Sequence, residues 1–361
     1  MPSHNQLDLT QEGARIMRIC NSCRYCEGFC AVFPAMEKRQ TFLDGDLNYL
    51  ANLCHNCGEC YYACQYAPPH EFAVNVPKLL AEIRAKSYRT YAWPRPLASR
   101  TAVWSIVTAS LVLSIFYARG VAGRGGDFYR VVPHRTMVLA FGGASVLVFV
   151  ALFAGFIRFW RNSGENFAQL FNPKALASAM GDALTLRYLD GGGGGCAYPD
   201  ERQSQSRRWF HHFTFYGFAL CLASTTTAAF YHYVLGWKAP YGYFSLPVVL
   251  GTSGGIGILA GTLGLLWLKG ISNPETQAGP QSGMDAAFLI LLLLSSASGL
   301  LLLALREATA MAGLLVVHLG IVLALFLTLP YGRFVHAIYR SAALVKYALE
   351  RSRVKAGWKA S

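Results

Sequence analysis

Apolar residues gather in long runs from residue 101 onwards, whereas the region before residue 93 is largely polar. Runs without a charged residue cover 101–117, 136–157, 213–235, 246–268, 286–305 and 310–331. Each is close to the ~20 residues that an α-helix needs to cross a bilayer. The pattern predicts a mainly α protein, with a helical N-terminal domain over 1–92 and a six-helix transmembrane bundle over 93–361 that ends in a basic tail.

Composition and charge agree with a multi-pass membrane protein. Hydrophobic residues make up 53% of the chain, charged residues 14%, and the formal net charge is +13. The basic residues flank the apolar runs, and we see no motif for binding RNA or DNA. Basic side chains are frequent in the loop 158–208 and the tail 333–359. The positive-inside rule therefore predicts that both termini lie in the cytoplasm. Because the first apolar run begins late, we expect no signal peptide.

Two copies of one cysteine spacing, C-x2-C-x2-C-x3-C, carry the clearest chemical signal. The copies are Cys20, Cys23, Cys26 and Cys30, then Cys54, Cys57, Cys60 and Cys64. This run holds 4Fe–4S clusters in two-cluster ferredoxins, where the fourth cysteine ligates the other cluster. The spacing predicts a ferredoxin-like domain with crossed ligation. One cluster would use Cys20, Cys23, Cys26 and Cys64, and the other Cys54, Cys57, Cys60 and Cys30.

Two other interpretations of these cysteines stay open at this point. Structural zinc also uses paired cysteines, but this spacing is denser than that of a zinc ribbon. Disulfides need an oxidising compartment, whereas this domain is expected in the cytoplasm. The other two cysteines are Cys196, next to the loop Gly191–Gly195, and Cys221, inside an apolar run. We interpret that loop as a flexible connection and Cys196 as a loop residue.

Local patterns predict further elements. Residues 35–52 are expected to form a helical insertion, and residues 72–90 an amphipathic helix after Pro77. The basic residues of that second helix, which would face anionic lipid headgroups or water, are Lys78, Arg84, Lys86 and Arg89. Gly257 and Gly261 form a GxxxG pair in the fourth apolar run, which predicts close helix packing.

Histidines in the apolar runs are candidate haem ligands, because polar groups inside a bilayer are unfavourable and usually functional. The candidates are His211, His212, His232, His318 and His336, with His134 as a weaker one and His55 and His70 as surface or neighbouring groups of the cysteine domain. His318 and His336 are 18 residues apart, about five turns, so they would share one face of a continuous helix. The third and last runs are antiparallel. His211 or His212 would therefore meet His336 on the cytoplasmic side, and His232 would meet His318 on the far side. This arrangement predicts one or two b-type haems.

These features together resemble a known family over almost the whole chain. The residues that carry the resemblance are the two cysteine motifs, Ala67-Pro68-Pro69-His70-Glu71-Phe72, Gly192–Cys196, Tyr198-Pro199-Asp200-Glu201, Arg207-Arg208, His211-His212 and Tyr216-Gly217-Phe218. The combination is similar to the tricarballylate and citrate utilisation protein B family. The membrane part also resembles the haem-bearing gamma subunit of respiratory nitrate reductases, in which two histidines on each of two helices hold two haems.

The resemblance implies a membrane iron–sulfur and haem protein that reoxidises a soluble FAD-dependent tricarballylate dehydrogenase and passes electrons to quinone. Dehydrogenation of the substrate would then occur in that partner, and we find no flavin-binding pattern here. Three alternatives stay open: a subunit that oxidises quinol to feed a cytoplasmic reductase, a membrane redox sensor, and a transporter. We find no output module for a sensor, and the apolar runs offer a transporter no charged coupling group.

Overall fold

Short helices build the cysteine-rich part of the computed structural model, which describes residues 8–121 and 128–359. They are α1 (Leu9–Cys23), α2 (Val32–Met36), α3 (Asp44–Leu53), α4 (Glu59–Tyr62) and α5 (Val76–Tyr91). At the start of α5, the Asn75 side chain accepts a hydrogen bond from the Lys78 backbone N–H at 3.1 Å, and Pro77 occupies the first turn. The cap and the proline fix where this helix begins. The predicted insertion 35–52 is helical mainly in its second half.

Long helices follow and confirm the mainly α prediction. They are α6 (Arg100–Val121), α7 (Phe128–Val131), α8 (His134–Asn162), α9 (Pro173–Leu184), α10 (Ser206–Tyr233), α11 (Leu246–Gly270), α12 (Gly279–Ala304), α13 (Met311–Thr328) and α14 (Val335–Lys359). Shorter 3-10 turns cover Arg95–Ala98, Phe167–Phe171, Pro274–Thr276 and Leu329–Tyr331. The strands β1 (Cys196–Ala197) and β2 (Gln203–Ser204) pair in antiparallel fashion before α10. Among the described residues, six helical stretches are long and apolar enough to cross a membrane, as predicted: α6, α8, α10, α11, α12 and the stretch from α13 into α14.

The last apolar stretch is not one continuous helix. Helix α13 ends at Thr328, a 3-10 turn containing Pro330 follows, and α14 begins only at Val335. Proline lacks the N–H that a helix interior needs, which accounts for the break. Counting five uninterrupted turns from His318 to His336 was therefore wrong, and the position of His336 is set by α14.

Helix α14 is part of the core of the cysteine-rich domain rather than a free basic tail. Tyr339, Ala343 and Leu344 are buried in one hydrophobic cluster with residues of α1, α3 and α5. At its edge, Arg39 lies between Asp46 at 2.7 Å and Glu350 at 2.6 Å. This packing places the last helix and the cysteine motifs on the same side of the bundle.

Glycines bring α10 and α11 into close contact, as the GxxxG pair predicted. A Cβ atom on Gly217 would lie 2.8 Å from the Gly254 carbonyl oxygen, and one on Gly261 would lie 2.6 Å from the Phe210 carbonyl oxygen. Only glycine permits such an approach of two backbones. The contact holds the first turns of α10, which carry His211 and His212, against α11.

Candidate functional site

The first four-cysteine set lies around a cavity near the surface of the N-terminal domain. Its lining includes Cys20, Cys23, Cys26 and Cys64, together with Cys60 and apolar side chains of α1 and α5. The cavity volume is about 290 Å³, far more than a single ion or water molecule needs. Cys23 is exposed, so one edge of this cavity is open to solvent.

The second four-cysteine set lies deeper, around a smaller cavity. Cys30, Cys54, Cys57 and Cys60 line it, with His55 and Val76. Cys60 interacts electrostatically most strongly with Cys57, Cys54 and Cys30, which places it with this set rather than the first. Cys30 and Cys64 have thus exchanged places between the motifs, which is the arrangement that crossed ligation requires.

Two thiols of the first set, those of Cys20 and Cys26, need a compensating positive group to ionise. Burial, with the nearby Cys26, Cys64 and Cys23, raises the pKa of Cys20 to about 12, and burial likewise raises the pKa of Cys26 to about 12. Bound metal deprotonates such thiols outright. No three His, Cys, Asp or Glu side chains in the described ranges converge as a single ion requires. The sulfurs of the first set surround a cavity of about 290 Å³ instead, and this geometry fits an iron–sulfur cluster better than structural zinc.

The glycine-rich loop before α10 closes the second cavity and is not the simple flexible connection that we expected. A Cβ atom on Gly58, whose φ is +81°, would collide with the Ala197 carbonyl oxygen, and one on Gly192 would lie 3.1 Å from the Gly28 carbonyl oxygen. Cys196 is 1% exposed, and its hydrogen bond to Cys57 lowers the pKa of Cys57 to about 7. The loop therefore excludes water from the second set, and Cys196 is a direct neighbour of one of its sulfurs.

Three arginines hold the chain segment that enters the second motif. Arg340 donates to the carbonyls of Leu53 and Cys54 at 3.1 and 2.6 Å, and Arg84 also donates to the Cys54 carbonyl. Arg207 donates to the carbonyls of Asn56 and His55 at 2.6 and 3.0 Å. These side chains fix the backbone of the predicted ligands Cys54 and Cys57 from α5, α10 and α14.

This role of the arginines was not predicted from the sequence. Arg84 is fully buried, so placing it at lipid headgroups or in water was wrong, whereas Lys86 and Arg89 are exposed. One signal was available. Arg84 lies four residues after Leu80 and four before Tyr88, on the apolar face of α5, where an arginine must find partners inside the protein. The other two arginines, Arg207 on α10 and Arg340 on α14, are distant in sequence from the second motif. No local pattern around them indicated that they would bind its backbone.

His211 and His336 face one another between α10 and α14. Their ring centres are 6.1 Å apart, with the ring planes at 58°. A metal–imidazole bond is about 2.0 Å long, and the centre of the imidazole ring lies about 1.1 Å beyond the bonded nitrogen. Two imidazoles on opposite sides of one iron therefore have ring centres about 6.2 Å apart. Neither side chain is fully covered by protein. The pair therefore fits bis-histidine ligation of a haem.

The other candidate histidines have different neighbours. His212 stacks on Tyr216, with ring centres 5.6 Å apart, so it points away from the pair. His232 stacks on His134 at 4.2 Å, too close for an iron between them. His318 shares a hydrogen bond of 2.9 Å with Ser298. Within residues 8–121 and 128–359, no ring contact joins His232 to His318.

His55 lies between the second cavity and the His211–His336 pair. It lines the cavity beside Cys54 and Cys57. Burial lowers the pKa of His55 well below its usual value, and the nearby charges of Arg340 and Arg207 lower it further. Both His211 and His336 are also among its electrostatic neighbours. The order across the molecule is thus first cavity, second cavity, His55 and then the membrane histidine pair. His70, in contrast, accepts a hydrogen bond from the Phe72 backbone N–H in a local turn.

Comparison with known proteins assigns both parts of the chain. The family model described as citrate utilization protein B matches residues 104–357, and the model described as its Fer4-like domain matches residues 13–90. The citrate utilization protein B of Escherichia coli is 50% identical over 356 residues, covering 95% of this chain and 93% of that protein. No solved structure matches. Since the two models cover most of the chain and this relative is similar over nearly its full length, the chain belongs to the citrate utilization protein B family.

Proposed function

We propose that this protein is an electron-transfer subunit of a bacterial inner membrane. It reoxidises a soluble FAD-dependent dehydrogenase of tricarballylate, or of a similar tricarboxylate such as citrate, and passes the electrons to quinone. One observation carries the proposal: two four-cysteine cavities and a histidine pair follow one another from the surface of the N-terminal domain into the bundle. The name of the E. coli relative supports the link to tricarboxylate metabolism.

The cysteine sets are suited to two 4Fe–4S clusters and the histidine pair to a b-type haem. When bound, these groups supply one-electron carriers, which a chain of amino acids alone lacks. Cys20, Cys23, Cys26 and Cys64 would hold the first cluster, and Cys30, Cys54, Cys57 and Cys60 the second. His211 rather than His212 would pair with His336. A second haem on His232 and His318 stays a prediction of the sequence alone.

The protein's own side chains arrange these sites one after another along a single path. The exposed edge at Cys23 makes the first site accessible to a soluble partner. The loop carrying Cys196 keeps water out of the second site. The hydrogen bonds from Arg207 and Arg340 hold the backbone of that site in place. Helix α14 joins the two halves, because it contributes His336 to one site and Arg340 to the other. We propose that the N-terminal domain and α14 lie together in the cytoplasm, where the dehydrogenase is soluble.

A reconstituted assay tests the proposal. The purified full-length protein is placed in vesicles with a quinone, and a purified FAD-dependent tricarballylate dehydrogenase is added with tricarballylate and then with citrate. We expect quinone reduction only when substrate, dehydrogenase and this protein are all present. A Cys23→Ser variant should reduce quinone much more slowly, because it loses a ligand at the partner-facing site. Quinone reduction by the dehydrogenase alone at the same rate would contradict the proposal. Faster transfer from quinol to an added flavoprotein would indicate the reverse direction.

A further inference from the structure

A group of buried hydrogen-bond donors without partners lies beside the His211–His336 pair. Arg84 is 0% exposed, Arg340 7% and Tyr88 3%. Within the described part of the chain, Arg84 Nη2, Arg340 Nε, Arg333 Nη1 and the Tyr88 hydroxyl find no hydrogen-bond partner. A buried donor is almost always satisfied, so four such donors in one place indicate a missing acceptor.

The four side chains belong to one site. Arg84 and Arg340 both donate to the Cys54 carbonyl, which brings their guanidinium groups together. Arg84 also interacts electrostatically with Arg333 and Tyr88. Arg340 interacts electrostatically with Arg84, Arg333 and Tyr88. All three arginines are electrostatic neighbours of His336. Arg340 lies one helical turn beyond His336 on α14, on the same face. The unpaired donors therefore lie between His336 and the second cysteine set.

The charges of this site do not balance. Among the residues that the structure describes, its three guanidinium groups have one carboxylate within reach, that of Asp285, whose Oδ1 lies 3.1 Å from Arg333 without making a hydrogen bond. The Lys269 ammonium group also pairs with the Asp285 carboxylate, at 3.7 Å. Buried charges are stable only when they are paired, so the site needs further negative charge. Planar guanidinium groups with free N–H donors match carboxylates in particular.

We propose that Arg84, Arg333, Arg340 and Tyr88 bind the two propionate carboxylates of the haem held by His211 and His336. This inference rests on the proposed function, which places that haem there. A haem carries both carboxylates on one edge, and the donors lie together on the side of His336 that faces Cys54. The same residues would then fix the rotation of the haem about its axial ligands and turn its charged edge towards the second cluster site.

One competing explanation is that the arginines only balance the negative charge of an iron–sulfur cluster on Cys54. A comparison of two ligands separates the explanations. Haem-free full-length protein in detergent is titrated with haem and with haem dimethyl ester, in which both carboxylates are esterified. Charge-assisted hydrogen bonds are strong enough that each one lost should weaken binding by about tenfold. We expect the wild-type protein to bind haem at least tenfold more tightly than the ester.

Variants test which residues carry this preference. Arg84→Gln and Arg340→Gln should each reduce the ratio of haem affinity to ester affinity, chiefly because each lowers the affinity for haem. Arg158→Gln is the matched control, because Arg158 also donates to two backbone carbonyls, those of Tyr91 and Ala92, outside the unpaired group. It should keep the wild-type ratio. The EPR signals of the clusters, recorded on each variant, report whether the N-terminal domain is still intact.

Each outcome has a defined meaning. Equal affinity of the wild-type protein for haem and ester would overturn the propionate site, and this comparison needs no variant to fold. An unchanged ratio in both arginine variants, with a shifted midpoint potential of one cluster, would assign the arginines to that cluster instead. A wild-type protein that binds neither ligand would refute the haem assignment in the proposed function itself. A reduced ratio in the arginine variants but not in the control supports the inference.

Discussion

Replacing His211 with alanine should remove the haem, whereas the same change at the adjacent His212 should not. The His211 ring centre lies 6.1 Å from that of His336, close to the about 6.2 Å expected for two imidazoles on one iron. Loss of a side chain that merely supports a metal ligand weakens metal binding about 10- to 100-fold. Loss of the ligand itself should therefore weaken haem binding by at least 100-fold, or about 2.8 kcal/mol.

The assay is the haem-to-protein ratio of purified variants, measured as the pyridine haemochrome, followed by titration with added haem. His212→Ala is the control, because His212 stacks on Tyr216 and takes no part in the pair. If a second haem is present on other residues, His211→Ala should lose only one. Full haem content in His211→Ala, or loss of haem in His212→Ala alone, would refute this geometry.

Four further substitutions test other parts of the molecule. Cys57→Ser should abolish the EPR signal of one cluster, whereas Cys196→Ala should keep both, because Cys196 only contacts Cys57 and lies outside both motifs. Arg39→Met should lower the free energy of unfolding of the N-terminal domain by about 3 kcal/mol in a denaturation series, since it breaks a pair with Glu350 in which both side chains are 10% exposed. Gly254→Val should lower the melting temperature in detergent, because a Cβ atom at this position would lie only 2.7 Å from the Gly217 carbonyl oxygen of α10.

Clear results would contradict each of these expectations. Loss of a cluster in Cys196→Ala would make Cys196 a ligand and would reopen the assignment of the second set. An unfolding midpoint of Arg39→Met equal to that of the wild type would mean that α14 is held to the domain by apolar contacts alone. A melting temperature unchanged in Gly254→Val would mean that α10 and α11 are not as close as the glycine contacts indicate.

Sequence alone predicted the features that depend on local pattern. Six apolar runs of about bilayer length became six long helices, since the length and composition of a run decide whether it can span. The cysteine spacing also predicted crossed ligation, and Cys64 lines the first cavity while Cys30 lines the second. The resemblance drawn from these motifs led to the right family.

Features that depend on tertiary contacts could not be predicted in the same way. Whether His211 or His212 faces α14 depends on the rotation of α10, which glycine contacts with α11 set. The proline break before α14 changed the relation of His318 to His336. Cys196 meets Cys57 from a loop far along the chain, and no residue near Cys196 in sequence indicates it. The contacts of His211 with His336 and of Cys57 with Cys196 each join residues more than a hundred positions apart, and periodicity carries no information about them.

The most direct test of the central claim is a combined optical and EPR spectrum of the purified protein, recorded as isolated and after reduction with dithionite. The proposed function predicts a b-type haem band together with two interacting 4Fe–4S signals. Iron–sulfur signals without haem would contradict the role of the His211–His336 pair. Zinc in place of iron in the cysteine sets would contradict electron transfer altogether.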